Sequence, residues 1–271
     1  ELDFATVFAR GGFDLQVGNP PWVRPRTDVD GLLSEGDPWW SLSNKPSVAA
    51  KNERMPRTLA RAEVLRTVLD GTAEVIVLSE VLSDPTVYPL LSGQPDLYRA
   101  FMCQVWQHQS QGGTSGLIHL ESHFTDSKTQ NLRAASYRHL RRHWQFINEL
   151  HLFEIQNQKQ YGVNVYSTEQ DPHFLHAVSL YHPETVMRSL KHDGSGEEPG
   201  FRDPRTGFWD LRPHSARIQL VDTLTLQSWQ AVTESSDWHS TSMVSTVNST
   251  TSRTLATLAH RPRINSLDLR Y

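Results

Sequence analysis

The sequence predicts an α/β protein organised around a layered sheet, and three observations carry that reading. Short apolar or alternating runs recur at 13–18, 116–120, 161–166 and 173–181. Apolar residues at three- and four-residue spacing fill the intervals 56–71, 95–109 and 127–143. The two periods alternate along the chain, which is the pattern of helices layered on a sheet.

Each element has a local reason. Phe13, Leu15 and Val17 alternate with polar residues and Gly18 closes the run, so the first element is a strand. Asn19-Pro20-Pro21-Trp22 follows at once. Consecutive prolines lack the N–H that a central strand needs, so the chain leaves the sheet there. Residues 23–54, with Pro25, Pro38, Pro46 and the pair Trp39-Trp40, read as a long loop. Pro56 suits a helix start and Gly71 its stop, while 73–82 fits either strand or helix.

Pro95 opens the next helix, with Leu97, Tyr98, Phe101, Met102, Val105 and Trp106 recurring until Gln111-Gly112-Gly113 ends it. A helix over 127–143 follows, with Leu132, Tyr137 and Leu140 on one face, then strand-like residues at 147–155. The turn-rich run 192–200 reads as a linker, Ile218 to Trp229 as a strand and a short helix, and Ser/Thr capping chemistry precedes a helix holding Leu255 and Leu258.

Composition removes several classes of function. There are 26 Lys and Arg against 30 Asp and Glu, a net charge of −4, which excludes a uniformly basic nucleic-acid sleeve but not an enzyme with a local basic surface. The single cysteine, Cys103, excludes a disulfide framework, and its apolar neighbours Ala100-Phe101-Met102 point to a buried thiol. No apolar run is long enough for a membrane span, and no signal peptide is legible, so a cytoplasmic location is expected. His119 and His123, like His139 and His143, are four apart, but no His-Glu-x-x-His pattern exists and no metal is expected. No Gly-x-Ser-x-Gly elbow supports a serine hydrolase.

Asn19-Pro20-Pro21-Trp22 is the sharpest feature. Its bland reading is a rigid turn closing a strand, with Trp22 in the packing. Its chemical reading concerns an exocyclic amine, a poor nucleophile because its lone pair is delocalised into the base. Two acceptors, the Asn19 side-chain oxygen and the Pro20 carbonyl, would take both N–H groups and localise that lone pair. Pro21 would fix the loop, and Trp22 would stack a flipped base.

These residues resemble the catalytic motif of DNA adenine-N6 methyltransferases that use S-adenosylmethionine. The resemblance extends through Leu2-Asp3-Phe4 to Phe8 and Gly11-Gly12-Phe13-Asp14, which are similar to the approach strand of large methylases of restriction–modification and BREX phage-exclusion type. Pro95-Asp96-Leu97-Tyr98-Arg99-Ala100-Phe101, Gly112-Gly113, His123-Phe124, Leu132-Arg133, Tyr137, Asn148-Glu149-Leu150, Leu152-Phe153 and Tyr161-Gly162-Val163-Asn164-Val165-Tyr166 follow in the same order.

The resemblance implies part of a class I, Rossmann-like methyltransferase sheet, then a linker and the start of a target-recognition region. The implied divisions are 1–185 for the catalytic half, 186–240 for linker or insert, and 241–271 for the beginning of recognition. It also implies methyl transfer from S-adenosylmethionine to adenine N6 of flipped duplex DNA, with other defence proteins as further partners and no membrane.

One departure stands out. No Gly-rich cofactor turn precedes Phe13, so the main cofactor site is expected outside the chain, with Asp96 at the border of the cleft. A catalytic-half fragment of this kind is expected to be inactive alone, to expose the edge of its first strand, to bind the cofactor undetectably and to aggregate. Two other readings stay open: a non-catalytic nucleic-acid-binding module, and an RNA or protein-glutamine methyltransferase.

Lys128, Arg133, Arg138, Arg141 and Arg142 fall on one expected helix, either as a solvated face or as a phosphate-facing surface. Arg253, Arg261, Arg263 and Arg270 form a second basic stretch. Trp39 and Trp40 either pack internally or help to enclose the base.

Overall fold

The computed structural model describes residues 2–93 and 96–262. Pro95, Arg263 and Arg270 lie outside the described residues. In chain order the elements are α1 (Ala5–Phe8), β1 (Phe13–Gly18), α2 (Val29–Ser34), α3 (Trp39–Leu42), α4 (Val48–Leu59), α5 (Ala62–Ser83) and α6 (Leu97–Gln107). Then come β2 (Gln109–Leu120), α7 (Gln130–His139), β3 (Leu140–Ile147), β4 (Gln160–Ser167), β5 (His173–Leu180), α8 (Pro183–Ser189), β6 (Gln219–Asp222), α9 (Thr223–Thr233) and α10 (Ser249–Ala259).

The strands form one mixed sheet of six, ordered β1-β2-β4-β3-β5-β6. β1·β2 and β3·β5 are parallel, and β2·β4, β3·β4 and β5·β6 are antiparallel. The fold is therefore α/β, built on a mixed sheet. Alternation buries both faces. Leu117, Tyr166 and Phe174 pack with Tyr98 and Met102 of α6, Tyr137 of α7 and Leu226 and Trp229 of α9. On the other face Trp144, Phe146, Tyr161, Ala177 and Leu180 pack with Val186 of α8. Cys103 is buried in α6, and loss of hydration pushes its thiol up to about 12.

The chain divides into two compact units, and Val23–Leu97 is one of them. The expected loop over 23–54 is instead helical, holding α2, α3 and most of α4. Asp28 and Ser47 cap α2 and α4 by accepting from Gly31 N and Ala50 N, a polar chemistry that the loop reading mistook for solvation. Pro56 sits inside α4 rather than opening a helix. Gly71 does not end α5; a Cβ there would lie 2.8 Å from Leu32 Cδ2, so it is a packing glycine. Leu33, Trp40 and Val64 form this unit's small core. Trp40 donates its indole N–H to Thr58 Oγ1 at 3.0 Å, so the tryptophan pair packs internally.

The other unit corrects three further expectations. Gly112 and Gly113 lie within β2, not at a helix end. A Cβ on Gly113 would stand 2.7 Å from the Phe13 carbonyl oxygen, and the β1·β2 register shifts there. The helix expected over 127–143 stops at His139, so Arg141 and Arg142 belong to β3. The strand expected over 147–155 is a 3₁₀ turn, Asn148–Leu150, tied by Asn148 to Phe153 and Ile155. Residues 186–240, expected as linker or insert, hold the strand and short helix expected over 218–229: β6, paired from Gln219 to Asp222 with β5, and α9, whose Leu226 and Trp229 enter the core.

Candidate active site

β1 and β2 run parallel, with Gly18 opposite Leu117, so both carboxyl ends open on one edge of the sheet. That edge is where open α/β sheets place ligands. Asn19-Pro20-Pro21-Trp22 leaves from it. Pro20 is buried, whereas Asn19 and Pro21 are exposed. Trp22 is half-buried and held: its indole N–H donates to the Ile118 carbonyl at 3.1 Å. Its ring stacks at 5.9 Å and 25° on Tyr161 and tilts against Phe153 at 5.1 Å. The tetrapeptide is thus anchored at its far end. The Asn19 amide makes no hydrogen bond among the described residues.

Asn19, Pro20 and Pro21 line an open pocket of about 420 Å³ together with Leu15, Val17 and Phe101. Gln16 ties its floor to α6 by donating to the Val105 carbonyl at 2.8 Å. No charged side chain lines it. It offers apolar contact but nothing to hold the charged amino-acid end of S-adenosylmethionine, so these residues alone do not fit that cofactor. Asp96 pairs with Arg24 at 3.3 Å within the helical unit.

A second pocket, of about 250 Å³, lies past the end of β2, with Glu121 and Gln145 as its buried polar residues and Lys159 in its wall. Behind it lies a chain of buried groups assembled by strand pairing across long sequence separations. His143 Nε2 is 2.6 Å from Glu121 Oε2, and His143 Nδ1 is 2.9 Å from His176 Nδ1. These residues are 22 and 33 positions apart and meet only because β3 pairs with β5 at His143 and His176. His119, bonded to Tyr166 Oη at 2.7 Å, is held down at about 4 by burial, which the nearby Glu121 offsets only in part. Burial also holds His123 and His176 well below the usual imidazole range. Among the described residues no three His, Cys, Asp or Glu side chains converge as metal ligands.

The five basic residues do not form one surface. Arg133 is buried, donating to the carbonyls of Ser240 at 2.7 Å and Asp126 at 2.9 Å. Arg138 pairs with Glu169 at 2.9 Å. Arg141 folds back on the carbonyls of His139, Leu140 and Thr168. Lys128 and Arg142 are exposed, on different elements. Arg253 stands on α10 within 3.8 Å of Glu198.

No family pattern matches the chain, and no curated protein is similar to it in sequence. Among solved structures, one described as showing complex assembly and conformational transition of the type I R-M system is 10% identical, with a TM-score of 0.42. The likeness covers 86% of this chain and 37% of that one. Another, the ATP-dependent Type ISP restriction-modification enzyme LlaBIII bound to DNA, is 12% identical over 62% of this chain and 10% of that one, with a TM-score of 0.30. The chain therefore spans well under half the length of either. No helix among the described residues is long and apolar enough to cross a membrane.

Proposed function

We propose that this chain carries the amine-activating loop of a DNA adenine-N6 methyltransferase dependent on S-adenosylmethionine, in a restriction–modification or phage-exclusion setting. The observation that carries the reading is the unengaged Asn19 amide beside a buried Pro20, at the carboxyl end of a parallel strand pair and above an open pocket. A turn serving only to close a strand has no need of an exposed, unspent amide anchored by a hydrogen-bonded Trp22.

The residues act by position. The Asn19 oxygen and the Pro20 carbonyl accept the two N–H groups of the exocyclic amine, turning its lone pair toward the methyl donor. Proline at 20 and 21 removes competing N–H donors and limits the backbone, so the acceptors are preorganised for the charge that develops on nitrogen. Trp22, expected to stack the base, is instead engaged by Tyr161, Phe153 and the Ile118 carbonyl and does not line this pocket, so its part is to anchor the loop. S-adenosylmethionine would supply the methyl group when bound.

The test is Asn19→Ala in the native gene, with N6-methyladenine mapped across genomic DNA. Loss of modification by at least about a hundredfold is expected, the scale of removing one preorganised acceptor. Unchanged modification would sink the reading. Retained DNA binding with no methylation in the unaltered protein would instead favour a non-catalytic module.

A further inference from the structure

The pocket past the end of β2 carries polar groups that the fold leaves unspent. Gln145 lines it and is only 6% exposed, yet its side-chain amide makes no hydrogen bond among the described residues. A buried amide normally finds its partners inside the protein. Glu121 lies at the same depth. Its Oε2 is paired with His143 Nε2, while Oε1 has no donor among the described residues. Strand pairing builds this floor. Alternation along β3 sends Trp144 and Phe146 into the core of one face, so Gln145 between them turns to the other. Its cross-strand neighbour on β4 is Gly162. A Cβ there would collide with Glu121 Oε1, so the missing side chain leaves room for the Glu121 carboxyl beside Gln145. Phe124 and Met243 add an apolar wall. Lys159, at the exposed rim, forms no ion pair among the described residues. None of these residues belongs to the pocket of Asn19.

These groups specify a ligand. A volume of about 250 Å³ suits one small ring system rather than a drug-sized molecule. The apolar wall suits a planar face. A glutamine amide offers a donor and an acceptor side by side, the complement of the amino group and ring nitrogen of adenine. The unpartnered Glu121 oxygen favours an amino group over the carbonyl that guanine or uracil would present. Lys159 suits a phosphate at the rim.

We propose that this pocket binds an adenine nucleotide, with Gln145 reading the base edge and Lys159 holding the phosphate. A free mononucleotide and an unpaired nucleotide of a strand share this chemistry, and the experiment separates them.

The experiment is isothermal titration calorimetry of the full chain with AMP, GMP and UMP, and with short oligo(dA) and oligo(dT). Saturable binding of AMP identifies a free nucleotide as the ligand. Binding of oligo(dA) without AMP identifies an unpaired base in a strand. In either case the guanine, uracil or thymine counterpart is expected to bind about tenfold more weakly. Gln145→Leu keeps the volume and removes no hydrogen bond of the fold, which circular dichroism checks. It is expected to weaken binding about tenfold. Lys159→Ala is expected to weaken binding at low salt and to have less effect at high salt. Absence of saturable binding by both AMP and oligo(dA) overturns the proposal. So does equal affinity for all the bases. Binding that Gln145→Leu leaves unchanged overturns it as well, because the adenine would then sit elsewhere, such as the pocket of Asn19.

Discussion

The sheet unit and the helical unit Val23–Leu97 bury themselves in opposite ways. The sheet unit encloses polar groups along with its apolar ones: His119, His123, His143, His176, Arg133 and Asn164 are all buried within it. The helical unit encloses almost nothing polar besides Thr58, packs a core around Leu33, Trp40 and Val64, and leaves an apolar helix face outside. Buried polar groups require partners of fixed geometry, which a paired sheet supplies and a short helical cluster does not.

The largest effect that would break this comparison is Arg133→Ala. Its guanidinium satisfies carbonyls from two separate segments, so truncation leaves buried acceptors and a void, at a cost of about 3–4 kcal/mol. Thermal unfolding measures it. A stable variant with weakened DNA binding would instead make Arg133 a phosphate contact.

The pH dependence is next. His119 titrates at about 4 when folded, against the ordinary 6.5 when unfolded, so the unfolded chain takes up its proton first. Stability should therefore fall as pH drops from about 6.5 to about 4, by about 3 kcal/mol for this residue alone. His123 and His176 act in the same direction. Urea unfolding across that range tests it, and His119→Gln should flatten the profile.

The smallest effect belongs to the helical unit. Arg54 and Thr58 bond Asp37 and hold its carboxyl at about 2, so its contribution is present above the usual carboxylate range and is lost only as pH falls from about 4 towards 2. Asp37→Asn should slightly speed hydrogen exchange in α3 and α4 and leave the sheet unchanged. The two units would then yield to acid in different windows. A single shared window would erase the distinction.

Some of this was legible in the residues. The alternation of Phe13, Leu15 and Val17 makes β1, which stands at one end of the strand order. The runs near 161–166 and 173–181 are β4 and β5, and Cys103 is a buried thiol. The Asn19–Trp22 loop at a strand end is present as well. These features depend on neighbours a few positions apart, where period and proline chemistry act directly.

What misled were segments whose state depends on distant partners. Caps and a small shared core made helices of 23–54. Helix propensity continued past His139, but pairing with β4 from Leu140 onward overrode it and moved Arg141 and Arg142 off the helix. The sequence by itself determined the loop and the strand that presents it. Only the tertiary structure decided that Arg133 is internal, that His143 meets both Glu121 and His176, and that Trp22 is fixed by Ile118. Local periodicity says which face a side chain takes; strand register alone says what it meets there.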